Sequence, residues 1–230
     1  MSVSSIARTA RLVAAKDLLV EWRSRVVSNQ VLPFAVLVMV MFAFALDSDA
    51  VLERVAPGLI WLATIFSVLF LVARSYAIET ADGALDAMRS AGVDPMGIFL
   101  GKTAALAAQL LVLEALLVGA AVVLYRADLG PSGVVLLVTT ALVATVGLAS
   151  VGTLYGGLAA GIKGRETLLP LLVLPVVAPV LIGATRATES AFRTNGIEVS
   201  EGWPWLALLT VFAVLFGVVG AVAYGSLVDE

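Results

Sequence analysis

Six stretches of this chain are each about as long and as apolar as a bilayer demands of a helix that crosses it, and this repetition limits the possible folds more than anything else in the sequence. Hydrocarbon offers no partners for backbone N–H and C=O groups. A spanning segment must therefore satisfy its own, which takes a helix of about 20 mostly apolar residues. The stretches are 31–46, 57–73, 103–125, 132–160, 167–185 and 203–227. The fourth is longer than a bilayer requires, so a tilt or a projecting end is expected there. Composition agrees, since 61% of the 230 residues are hydrophobic and 13% charged, whereas a soluble domain is nearer half and a quarter. The expected fold class is an all-α membrane protein with six transmembrane helices in a single domain over residues 1–230, without internal repeats.

Orientation follows from the Lys/Arg bias of the loops. With the N-terminus in the cytoplasm, Arg8, Arg11, Lys16, Arg23, Arg25, Arg74, Arg89, Lys102, Lys163 and Arg165 lie inside, and only Arg54, Arg126, Arg186 and Arg193 outside. Both termini are thus expected on the cytoplasmic side of a bacterial inner membrane. Residues 1–30 do not read as a cleavable signal peptide, because charges are spread along the whole segment. Within it, Leu12, Ala15, Leu19, Trp22 and Val26 recur at helical spacing, with Asp17 and Glu21 opposite. This pattern predicts a helix over 4–27 lying along the membrane surface. Trp203, Trp205, Tyr224 and Tyr125 mark span ends and are expected at headgroup depth.

The chain contains neither Cys nor His. That removes disulfides, thiolate metal sites, the commonest general base and the usual haem ligand. No metal site and no catalytic residue are assigned, and the net charge of −3 gives no sign of nucleic-acid binding. The longest inside loop, 74–101, carries Glu79, Asp82, Asp86 and Arg89 three or four residues apart. Ala81, Leu85 and Met88 make a second face, and Gly92 and Pro95 end the pattern. A short amphipathic helix is expected, either docking on a cytoplasmic partner or serving as a solvated connector. The neighbouring GIFLGKT at 97–103 imitates a phosphate-binding loop. It has three bulky residues between its glycines where the motif needs four, and no strand precedes it, so nucleotide binding is rejected. Lys102 is expected at the inner headgroup level.

Glu114 is the one carboxylate well inside a span, where a charge costs about 2.5–3.5 kcal/mol. It is expected either on a pathway or subunit interface, or hydrogen-bonded to a neighbouring helix. Glycines and alanines four apart (Gly152/Gly156, Gly157/Gly161, Gly217/Ala221/Gly225) are expected at close helix contacts. Pro170, Pro175 and Pro179 predict a kinked or broken fifth span, with Pro175 and Pro179 possible pathway or interface residues.

Four of these stretches resemble the CcmB family, the haem exporter B permeases of cytochrome c biogenesis. They are KDLLVEWRSR at 16–25, APGLIW at 56–61, the acidic-glycine segment Glu79…Asp82-Gly83-Ala84-Leu85 followed by Gly101-Lys102, and LVLPVVAPVLIGA at 172–184. The resemblance implies a type-2 ABC exporter permease fold and a separate CcmA-like cytoplasmic ATPase. It implies that 74–101 is the ATPase-coupling loop, with Glu79, Asp82, Gly83, Leu85, Asp86 and Met88 as its contact residues. It further implies CcmC-like and CcmD-like membrane subunits, a CcmE-like haem chaperone, and a possible homodimer. ATP would act through the partner and haem would be a possible substrate, with no cofactor bound by this chain. The alternatives are a generic type-2 exporter permease for another substrate and a non-transporting scaffold. An enzyme built on Glu114 and Lys102 is set aside, because twelve residues of helix separate them by about 18 Å.

Overall fold

The computed structural model of the protein describes residues 3–46, 48–81, 83–127, 129–160 and 165–228. These form α1 (Val3–Ser24), α2 (Leu32–Ala45), α3 (Asp49–Ala81), α4 (Ala84–Ser90), α5 (Pro95–Tyr125), α6 (Pro131–Ala159), α7 (Arg165–Ala191) and α8 (Trp203–Val228). A π-helical turn, Val27–Val31, leads into α2, and two 3₁₀ turns, Thr194–Gly196 and Val199–Gly202, join α7 to α8. Among the described residues, six helices are long and apolar enough to cross a membrane, as the sequence predicts.

Several helices run past the ends that hydropathy gives them: α3 starts at Asp49, and α7 continues to Ala191. At 33 residues, α3 is about 50 Å long against a hydrocarbon core of about 30 Å. Hydropathy falls at Arg74, but neither Gly nor Pro occurs before Gly83, so the helix continues for two more turns. α5 likewise begins at Pro95, with Asp94 as its N-cap accepting from the Met96 and Gly97 N–H groups at 2.9 and 3.4 Å. The connector therefore shrinks to 82–94. Gly83 and Gly92, with φ of +62° and +64°, take left-handed conformations that side chains resist, and they bracket α4.

The fifth span is a second correction. α7 runs through Pro170, Pro175 and Pro179 without interruption, so it is neither broken nor re-entrant. Leu169, Val173, Val177, Val180, Ala184, Ala187 and Ala191 form its buried face. Packing along that one face holds the helix together despite the missing donors, while Pro175 and Pro179 sit on the exposed face.

The bundle core is close-packed by side chains from all six spans, and large apolar residues such as Phe44, Val123 and Val222 project outward, as expected where lipid is the solvent. Small residues let helices approach. A Cβ at Gly152 would lie 2.9 Å from Val68 on α3, one at Gly156 2.5 Å from Tyr76, and one at Gly157 2.7 Å from Tyr224 on α8. The tightest glycine on α8 is Gly220, against Phe99 at 2.2 Å, a position outside the four-residue pattern. Gly161 lies outside the described residues. Tyr125 and Tyr224, at their span ends, also make contacts within the bundle. Both are buried, Tyr125 donating to the Met39 carbonyl at 2.6 Å and Tyr224 stacking at a tilt on Phe99.

Candidate functional site

α1 forms as predicted. Leu12, Ala15, Leu19 and Trp22 of its apolar stripe are exposed, whereas Val26 of that stripe is buried just beyond the helix, and the side that packs on the bundle carries Thr9, Val13 and Asp17. α1 lies across α5 at two glycines: a Cβ at Gly97 would meet Thr9 at 2.7 Å, and one at Gly101 the Ala10 carbonyl oxygen at 2.6 Å. The glycines of the false phosphate loop are thus the seat of α1. Arg25, at φ 51°, turns the chain out of α1. Glu21 secures this corner by accepting from the Val27 N–H at 2.6 Å.

This docking drives Lys16 and Asp17 toward the projecting end of α3, where a closed ring of alternating charge results. Lys16 pairs with Asp17 at 2.9 Å and with Glu79. Lys102 pairs with Glu79 at 2.7 Å and with Asp17 at 3.4 Å. The Glu79 and Lys102 side chains are only 5% and 3% exposed. Lys102 also donates to Ser75 Oγ at 3.1 Å and stands 4.6 Å over the Tyr76 ring, a cation–π contact. Ser75 and Glu79 are one helical turn apart and so share a face.

From the ring, contacts continue into the bundle. The Tyr76 hydroxyl donates to the Thr153 carbonyl of α6 at 2.9 Å, and the Tyr224 hydroxyl of α8 lies 2.9 Å from it. Gly156 and Gly157 make the room in which these two tyrosines meet. Five helices are thereby joined at one end of the molecule. A cleft of about 80 Å³ borders the ring, lined by Lys16, Asp17, Glu21, Ser24, Arg74 and Gln109 among others, with space for several waters.

Burial alone would favour the neutral amine at Lys16. The hydrogen bond to Glu79, with the charge and hydrogen bond of Asp17, outweighs it and raises the pKa above the ordinary 10.5. Lys16 therefore enters the ring as a cation.

The sequence-assigned residues fall in several places. Glu79 does not lie on α4 with Asp86 but closes α3, buried and ion-paired, because α3 extends to Ala81. Asp82 lies outside the described residues. Gly83 makes the turn, Leu85 and Asp86 belong to α4, and Met88 packs partly buried against the core. Lys102 lies seven residues inside α5, 4% exposed, beside Glu79 at the end of α3 that outruns its span. Glu114 is buried on α5 and accepts from Thr145 Oγ1 of α6 at 2.7 Å. It shares nothing with the ring. Lys16, Asp17 and Tyr76 went unassigned as site residues, and the available signal was a lysine well inside an apolar helix, which needs a buried countercharge.

Residues far apart in sequence, Lys16 and Asp17, Glu79, and Lys102, thus meet at one place. The second stretch of the resemblance makes another long-range tie, Trp61 Nε1 donating to Thr188 of α7 at 2.9 Å. Six apolar helices with a polar joint at one end define a multi-pass α-helical membrane protein. The sequence matches the family described as CcmB protein over residues 8–229, and the chain belongs to that family. Among its relatives is heme exporter protein B of Haemophilus influenzae, 32% identical over 181 residues, or 74% of each chain. Heme exporter protein B of Pseudomonas aeruginosa is 27% identical over 210 residues, 91% of this chain and 89% of the other. That of Rhodobacter capsulatus is 28% identical over 169 residues, covering 73% and 77%.

Proposed function

We propose that this chain is the membrane permease subunit of an ABC transporter complex that acts in haem export, or in release of the haem-loaded chaperone, for c-type cytochrome maturation. The observation that carries the reading is the family match from residue 8 to residue 229, joined to six spans. A separate CcmA-like ATPase supplies the energy from the cytoplasmic side. CcmC-like, CcmD-like and CcmE-like proteins are the other partners, and a second copy of this chain pairs with the first.

The 82–94 connector, with α4, is the segment that seats in the ATPase. It is short, bracketed by two left-handed glycines and rooted in the charge ring, so a push on α4 reaches α3 and α5 directly. Gly83, Leu85, Asp86 and Met88, together with Asp82, are its contact residues. Glu79 acts behind them. Pro175 and Pro179, on the exposed face of α7, suit a subunit interface better than a path inside this chain. Each proline also leaves a carbonyl without its helical donor, which lipid cannot supply.

Co-purification with an ATPase subunit and c-type cytochrome yield test the reading together. A partner disabled in ATP hydrolysis is expected to abolish the yield. Normal maturation with that partner would make the chain a scaffold instead.

A further inference from the structure

A ring of two cations and two carboxylates can be paired in two ways. In one, Lys16 takes Asp17 at 2.9 Å and Lys102 takes Glu79 at 2.7 Å. In the other, Lys16 takes Glu79, and Lys102 takes Asp17 at 3.4 Å. All four contacts coexist in this structure. Both members of one side, Lys16 and Asp17, ride on α1, whereas Glu79 ends α3 and Lys102 belongs to α5. Relative movement of these helices can therefore lengthen one pairing while the other holds, and no buried charge is left alone.

Stability does not account for such an arrangement. Well-packed apolar side chains in place of a buried ion pair are often neutral or more stable, whereas breaking a pair is strongly destabilising. A ring with two complete pairings avoids the second penalty, and the best-attested use of buried polar groups in general is to fix or switch a register. The cleft beside Lys16, Asp17 and Glu21 gives the side chains space in which to exchange. Glu79 sits one helical turn before Gly83, at the root of α4.

We propose that Lys16, Asp17, Glu79 and Lys102 are positioning residues that exchange partners during the ATP-driven cycle, carrying displacement of the 82–94 connector to α1 and, through Tyr76 and Tyr224, to α6 and α8. This rests on the transporter reading above. It goes beyond it by assigning the coupling step to charges outside the connector itself.

The test uses the complex assembled with its ATPase subunit, read for assembly, ATP turnover and c-type cytochrome yield. Two paired neutralisations, Glu79→Gln with Lys102→Gln and Lys16→Gln with Asp17→Asn, each remove one half of the ring without stranding a charge. Both are expected to assemble, while cytochrome yield per ATP hydrolysed falls at least about tenfold. Reversing all four (Lys16→Glu, Asp17→Lys, Glu79→Lys, Lys102→Glu) rebuilds the ring with opposite signs and is expected to recover the yield to within about threefold. Full yield from both neutralised pairs overturns the proposal. So does loss of assembly that the fourfold reversal fails to repair, since the ring would then only hold the fold. The transporter reading fails separately, if the unaltered chain matures cytochromes with a hydrolysis-dead partner.

Discussion

Lys102 shows how much one side chain here depends on its neighbours. It serves Glu79, Asp17, Ser75 and the Tyr76 ring at once while 3% exposed. Lys102→Met leaves two carboxylates facing a single cation, and breaking a buried pair costs about 3–5 kcal/mol. Thermal unfolding in detergent is expected to show the loss, and adding Glu79→Gln is expected to restore part of it. Lys16 gives a pH signature. Its pKa is raised on folding, from an ordinary 10.5, so its contribution is fully present below that value and disappears as pH climbs through the raised one. The difference in melting temperature between the unaltered protein and Lys16→Gln is expected to be constant at neutral pH and to shrink in strongly alkaline buffer. A difference that grows there would contradict the assignment. None of this is legible at Lys16 alone, because its partner Glu79 is 63 residues away in sequence.

At the scale of elements, the amphipathic pattern located α1 but not the face it packs. Periodicity identifies an apolar stripe and says nothing about what lies opposite. Here the stripe of Leu12, Leu19 and Trp22 is left exposed, free for headgroups and acyl chains, and the opposite side, with Thr9, Val13 and Asp17, meets the bundle. Gly101 is what admits it. A side chain there would strike the Ala10 backbone oxygen, which cannot yield as a flexible side chain would. Gly101→Val is expected to lift α1 and to speed trypsin cleavage at Arg8, Arg11 and Lys16. Gly119→Ala, in the same helix with nothing within 4 Å, is expected to change neither proteolysis nor folding adversely, because alanine is the better helix former by up to about 1 kcal/mol. The length of α3 was hidden for a related reason: polarity marks where lipid ends, not where a helix does. The prolines of α7 misled in the opposite sense, since packing on Val173, Val177 and Val180 offset a local preference for breaking.

For the whole molecule, the predicted topology places both termini and α4 on one side and the turns between α7 and α8 on the other. The chain has no native thiol, so single cysteines report cleanly. Ser200→Cys is expected to react with a membrane-impermeant maleimide in intact spheroplasts, and Ser90→Cys only after the membrane is opened; the reverse pattern would invert the orientation. Six spans, their order and the charge bias were determined by the sequence itself, because burial in lipid is a one-dimensional property: each window of about 20 residues either tolerates hydrocarbon or does not. The family resemblance was likewise carried by local strings. Which charges are paired was decided only by the tertiary structure. The ring needs α1 to seat on α5 at Gly97 and Gly101 and α3 to pack on α6 at Gly156, and convergence depends on side-chain volumes between segments that hydropathy treats as independent. Glu79 therefore read as a docking residue in the sequence, and in the fold it stands behind the connector, held by two lysines.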